Sequence, residues 1–129
     1  AGKSANWFCS VKKKHNFTWT PDAAKATALL GNTESAYGQV WHLPTIPAFP
    51  MYEWIELTAK ALGVKAKSLV VSRFIVSLMG VFNPLMREMK DMLYQYDRNY
   101  NFDSSKFETV FEMEPTSAEE AMKVLASDN

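Results

Sequence analysis

Cysteine is almost missing: Cys9 is the only one in 129 residues. That excludes an internal disulfide and any Cys-x-x-Cys metal or redox motif, and it fits a reducing compartment. Glycine is scarce as well. None of the five glycines falls in a Gly-x-Gly-x-x-Gly pattern or a complete Gly-x-x-x-x-Gly-Lys-Ser loop, so the usual backbone cradles for a dinucleotide or a nucleoside triphosphate are not encoded. There is no His-Glu-x-x-His helix, and no metal is expected. Neither sign of charge is in excess, with 14 Lys and Arg against 14 Asp and Glu. This removes the electrostatic case for nucleic acid or an anionic membrane as partner. Lys12-Lys13-Lys14 is the one basic run and reads as a solvated loop. No stretch approaches the roughly 20 apolar residues of a membrane helix. The longest candidate, Phe74–Phe82, is interrupted by Ser77 and Gly80. The first residues lack the basic-then-apolar pattern of a secretory leader, so the expected location is cytoplasmic.

What is present is apolar and aromatic. Hydrophobic residues make up 47% of the chain, enough for a real core in a single domain or lobe of this length. The most strand-like run is Tyr37–Thr45, read as a mostly buried strand because it is short, β-prone and closed by Pro44. Residues 1–15 read as a loop or arm carrying the apolar knot Trp7-Phe8-Cys9, either a strand remnant or an anchor onto a surface elsewhere. Residues 16–63 read as a strand–helix–strand–helix unit, and 64–129 as a helical cap with short strands. Asn16–Trp19 opens the middle unit as a short strand. Thr20, Pro21 and Asp22 then carry the N-cap, first-turn and dipole signals of a helix that ends at Gly31-Asn32. Pro50 starts a second helix, with Met51, Trp54, Ile55, Thr58, Ala59 and Leu62 on one face, Glu53, Glu56 and Lys60 outward, and Gly63 as its stop.

Ser68–Val71 reads as a strand, followed by a helix over 73–81. A helix over 84–97 is started by Asn83-Pro84 and striped by Leu85, Met86, Met89, Leu93 and Tyr96. Asn99–Phe102 is a further short strand, and Asp103 or Ser104 caps a helix that buries Phe107, Val110 and Phe111. Thr116–Glu120 offers a capping box in either of two registers for a last helix, and the tail Ser127–Asn129 reads as frayed. The class expected is α/β, with an α+β-like character: a helix-rich lobe with five or six helices and a small parallel or mixed sheet.

Catalytic constellations are largely missing. Cys9 and His15, six residues apart in a loop, are not constrained to act as nucleophile and base, and an idle or buried thiol is the plainer reading. His42 reads either as a hydrogen-bonded interior or rim histidine or as a group facing a ligand at a strand end. The glutamates sit on solvated helix faces and caps, and the seven methionines fall at core spacing. Tyr52, Tyr94 and Tyr96 are followed four residues on by Glu56, Arg98 and Tyr100, so no Tyr-x-x-x-Lys pair is present.

Three stretches in order resemble the C-terminal part of the extended short-chain dehydrogenase/reductase superfamily, the NAD(P)-dependent epimerase/dehydratase group. They are His15–Ala26, Tyr37–Thr45, and Asp103–Phe107 followed by Pro115–Ala121. Asn83–Gln95 is similar to a subgroup with a helical cap. The resemblance implies a substrate-binding lobe of an oxidoreductase, an excised fragment or truncated product. Its dinucleotide site and catalytic Tyr-x-x-x-Lys would lie in a Rossmann portion that this chain does not include. No catalytic residue and no cofactor is then expected for this chain alone, with NAD or NADP implied for a full-length parent. The implied substrate-facing residues are His15, Trp19, His42, Pro44 and Thr45, with Arg73 and Tyr94 on the cap; the implied ligand is a small sugar-like or carbonyl compound. His15 stands where the family often has an arginine that grips a phosphate, which argues against phosphorylated-nucleotide substrates. In this reading Tyr37–Thr45 is the last strand of a sheet completed elsewhere, with Val40 and Leu43 in a shared core. Copies of the lobe are expected to associate through an exposed apolar face. The alternative is a stand-alone small-ligand or protein-interaction module derived from such a lobe.

Overall fold

The computed structural model describes residues 4–127. In chain order the elements are β1 (Ala5–Phe8), β2 (Lys14–His15), α1 (Thr20–Gly31), a 3-10 turn (Glu34–Ala36), β3 (Phe49–Pro50), α2 (Met51–Ala61), β4 (Ser68–Val71), α3 (Arg73–Met79), α4 (Pro84–Met92), α5 (Tyr94–Asp97), α6 (Ser105–Phe111) and α7 (Ala118–Ser127). The fold is mixed α and β, rich in helix, with two small two-stranded sheets among the described residues. Among those residues no helix is long and apolar enough to cross a membrane. The chain divides into two interleaved units. One joins the segment ending at His15 to Phe49–Tyr100; the other joins Asn16–Ala48 to the segment beginning at Asn101. The expected frayed tail beyond Ser127, and the first three residues of the expected arm, lie outside the described residues. Ser127 itself closes α7.

In the first unit, the knot at Trp7-Phe8 is part of a strand. β1 pairs in parallel with β4, from Ala5 opposite Ser68 to Phe8 opposite Val71, so the expected Ser-Leu-Val-Val strand is present. β2 pairs antiparallel with β3, Lys14 opposite Pro50 and His15 opposite Phe49. The expected strand at Asn99–Phe102 reduces to a single bridge between Tyr100 and His15. α2 buries Trp54 and Ala59, and its Trp54 Nε1 donates to the His15 carbonyl at 2.9 Å. Gly63, at φ +64°, turns the chain out of the helix as expected. α3 is capped by the Ser72 hydroxyl, which accepts from Ile75 N, and α4 by Asn83, whose side chain accepts from Leu85 N at 2.9 Å. The expected helix over 84–97 breaks at Leu93, which is fully buried, into α4 and α5. Trp7, His15, Phe8 and Tyr96 form an aromatic cluster with ring centroids 5.1–5.4 Å apart along Trp7–Tyr96, Trp7–His15 and Phe8–Tyr96.

The second unit corrects the main sequence expectation. Tyr37–Thr45 is not a strand, and Val40 is 81% exposed rather than core. The cause is local. Tyr37 OH donates to the Gly31 carbonyl, Gln39 Nε2 to Ser35 O, and Trp41 Nε1 to Ala36 O, so three side chains fold the segment back on the preceding turn. Gly38 at φ +71° permits that reversal, and Pro44 and Pro47 offer no N–H to a ladder. Asn16–Trp19 is also irregular. It meets 45–46 through Ile46 N to the Phe17 carbonyl at 3.1 Å and a Thr18–Thr45 hydroxyl contact at 2.8 Å, without a ladder. Trp19, not Thr20, occupies the N-cap of α1 and gives no side-chain cap. The core of this unit is small: Ala26, Ala36, Pro44, Ile46, Phe107, Ala118 and Ala121. Trp41 adds an edge contact to Phe111 at 5.3 Å, and Phe107 and Phe111 lie 4.6 Å apart, while Val110 is exposed against expectation.

Candidate functional site

The second unit draws the resembling stretches together through specific hydrogen bonds. Asp22, at the start of α1 and buried, accepts from Thr116 N at 2.7 Å and Thr116 Oγ1 at 2.9 Å. With Thr116 so engaged, Ser117 takes the cap of α7 and accepts from Glu120 N at 3.2 Å, which selects one of the two capping-box registers. Thr45 N donates to Ser104 Oγ at 3.2 Å, and that hydroxyl donates to Glu108 Oε1 at 2.5 Å. Thr45 Oγ1 donates to Leu43 O at 2.8 Å, so in the contact with Thr18 it is the Thr18 hydroxyl that donates. Asn16 and Phe102 exchange two bonds, side-chain amide to backbone, at 3.1 and 3.3 Å.

His42 is the exposed member of this set. Its Nδ1–H donates to the Asp103 carbonyl at 2.9 Å, and its ring stands edge-on to Phe102 at 5.4 Å. In the neutral ring that bond leaves Nε2 as an acceptor, on a side chain open to solvent. Beside it, Ser105 N and side chain bond the Asp103 carboxylate and hold its pKa below the ordinary range. Lys106 Nζ reaches Gln39 Oε1 at 3.0 Å and the Val40 carbonyl at 3.2 Å, and sits 3.9 Å over the Trp41 ring. The surface can accept a hydrogen bond from a hydroxyl at His42, beside the partly exposed ring of Phe102.

The other expected ligand contacts divide. Pro44 and Thr45 are buried and hold the loop in place instead of facing solvent, and Trp19 is half-buried at the head of α1. His15, Arg73 and Tyr94 belong to the first unit. His15 is 7% exposed inside the aromatic cluster, its Nε2 has no hydrogen-bond partner among the described residues, and burial pushes its pKa down. Arg73 is spent on Asp97 at 3.2 Å, and Tyr94 is exposed on α5. Cys9 Sγ points to the Leu93 carbonyl at 3.9 Å, and burial pushes its thiol up, away from the reactive thiolate; no Cys9–His15 pair forms. Among the described residues no group of three or more His, Cys, Asp or Glu could hold a metal ion. Thr18, Phe102, Asp103, Ser104 and Lys106 were not foreseen at the site; their partners are too remote in sequence for spacing to reveal them. No protein-family model, curated protein or solved structure matches the chain.

Proposed function

We propose that this chain is the substrate-binding portion of an NAD(P)-dependent epimerase/dehydratase-like oxidoreductase, and that it binds a small hydroxylated or carbonyl compound without carrying out the redox step. One observation supports this reading above the rest. The three stretches that resemble the family are linked in one unit, Asp22 to Thr116 and Thr45 to Ser104, across 94 and 59 residues. These bonds hold the stretches at one surface, which the reading requires, just as any compact unit brings remote segments together. His42 is the residue assigned to the ligand, through Nε2 accepting from a substrate hydroxyl. Thr45 and Ser104 are positioning residues that fix the loop bearing it. The cofactor and the tyrosine–lysine chemistry belong to a partner portion with a Rossmann fold.

The test uses the 129-residue chain, isotopically labelled for NMR. Titration with NAD(H) or NADP(H) is expected to leave the spectrum unmoved, and mixtures of cofactor with sugars or small carbonyl compounds to give no change in dihydronicotinamide absorbance. Titration with neutral sugars and small carbonyl compounds is expected to move the amides of His42, Asp103 and Ser104, and His42→Ala to abolish those shifts. Cofactor-dependent turnover by this polypeptide refutes the assignment.

A further inference from the structure

We propose that the exposed apolar face running along α3 and over the α3–α4 turn is a docking surface for a second copy of this chain. In α3 the inward anchor is Val76, fully buried, while Phe74 and Leu78, four residues apart, lie on the far side of the helix. The turn adds Val81 and Phe82, and α4 opens with Leu85. Phe82, Phe74 and Val81 are 85%, 77% and 73% exposed, and Leu78 and Leu85 are more than half exposed. Contiguous apolar surface of this kind marks a site of association in soluble domains. The hairpin is also tightly built: a Cβ at Gly80 would stand 3.1 Å from Arg87 Cα, so α4 approaches the end of α3 as closely as glycine allows.

Two features select a second copy over other occupants. The first is charge. Between Arg73 and Arg98 the chain carries Arg73, Arg87, Lys90 and Arg98 against Glu88, Asp91 and Asp97, with Arg73 and Arg98 on Asp97 and Arg87 beside Glu88. A nearly balanced rim of both signs, largely paired within the chain, lets a two-fold related copy approach without strong net repulsion. An anionic bilayer would instead call for a cationic rim. The second is area. Two phenylalanines and three aliphatic side chains exposed to this degree present on the order of 650 Å², close to the ~800 Å² per partner of an ordinary stable interface once flanking atoms are added.

The proposal stands apart from the substrate-lobe reading, which fails on turnover and not on mass. The experiment is light scattering on the full chain across a concentration series. The expected mass is twice 14.6 kDa, falling by half in Phe82→Asp and in Phe74→Asp. Both substitutions fall on exposed side chains and leave the unfolding midpoint nearly unchanged. Val40→Asp, at an equally exposed position in the other unit, keeps the dimer. A chain that stays monomeric overturns the proposal, as does a dimer that survives both phenylalanine substitutions. Polydisperse aggregates that Phe82→Asp disperses also defeat it, because they identify a face covered by a different chain. So does a monomer that binds phosphatidylglycerol vesicles through Phe82.

Discussion

Replacing Asp22 with alanine tests the bond that ties the start of α1 to the segment before α7. The carboxylate is buried and takes two bonds from one residue, 2.7 Å from Thr116 N and 2.9 Å from Thr116 Oγ1. Bonds to a charged acceptor contribute about 1.5–3 kcal/mol each, and removing the acceptor leaves two donors to find water. Thr116 is half-buried and partly hydrates on its own, so the lower end applies to each bond and the loss for Asp22→Ala is about 3 kcal/mol. At a urea slope of about 2 kcal/mol/M the midpoint falls by roughly 1.5 M. Alanine also removes a carboxylate from the first turn of a helix, an effect of about 0.3–1 kcal/mol. Thr116→Val separates the two: it keeps the carboxylate, deletes one bond, and is expected to lower stability by about 1–1.5 kcal/mol. In the double variant the losses are less than additive, because each change removes part of the same interaction. An Asp22→Ala protein within about 0.5 kcal/mol of the parent, the range of an ordinary surface change, would falsify the argument.

Two further outcomes follow from buried or crowded positions. Burial holds the His15 pKa below its ordinary 6.5, so the folded chain takes up that proton less readily than the unfolded one. Its contribution to stability is complete above about pH 6.5 and is lost as pH falls below that value toward the depressed folded pKa. An NMR titration of the His15 ring should give a midpoint under 6.5, and a midpoint at or above it contradicts the burial. Gly80→Ala places a methyl 3.1 Å from Arg87 Cα and 3.3 Å from the Ser77 carbonyl oxygen, backbone atoms that cannot rotate away. Gly80 is the C-cap of α3 and not an interior position, so little helix propensity is gained and the crowding gives a net loss of about 1–2 kcal/mol in urea unfolding. A stabilised variant shows that the two helices can separate freely.

The readable parts of this sequence are those whose causes act within about four residues. Pro21 in the first turn, the Asn83-Pro84 start, the Gly63 stop and the Ser117–Glu120 box each place a helix boundary through a local bond or a fixed φ. Ser-Leu-Val-Val was recognisable as a strand and Trp7-Phe8 as a candidate strand remnant, but their parallel pairing was not, since pairing across the intervening β2, α1, β3 and α2 leaves no periodic mark. Tyr37–Thr45 misled because a short β-prone run closed by proline describes what a strand's side chains prefer and says nothing of what its edges bond. Here Tyr37, Gln39 and Trp41 satisfy the turn behind them. The site was half legible. His42 could be picked out as a lone histidine beside a proline-marked exit, whereas Asp103 and Ser104 read only as caps. Their bonds to His42 and Thr45 span 61 and 59 residues.

The balance of charge misleads in a similar way. Among the described residues the first unit holds ten Lys and Arg against five Asp and Glu, and the second holds three against eight. Screening confines a surface charge to about 8 Å at physiological ionic strength, so a ligand at His42 responds to the charges beside it and not to the zero of the whole chain. The carboxylates of Asp103 and Glu108 belong to the same α6 segment, and the cation there, Lys106, already serves Gln39, the Val40 carbonyl and the Trp41 ring. A phosphate would enter this surface against like charge and would have to compete for that lysine. A neutral hydroxyl needs only the acceptor that the Asp103 carbonyl leaves on His42. Charge thus favours an uncharged polyol or carbonyl compound under the proposed function, for reasons independent of the histidine at position 15.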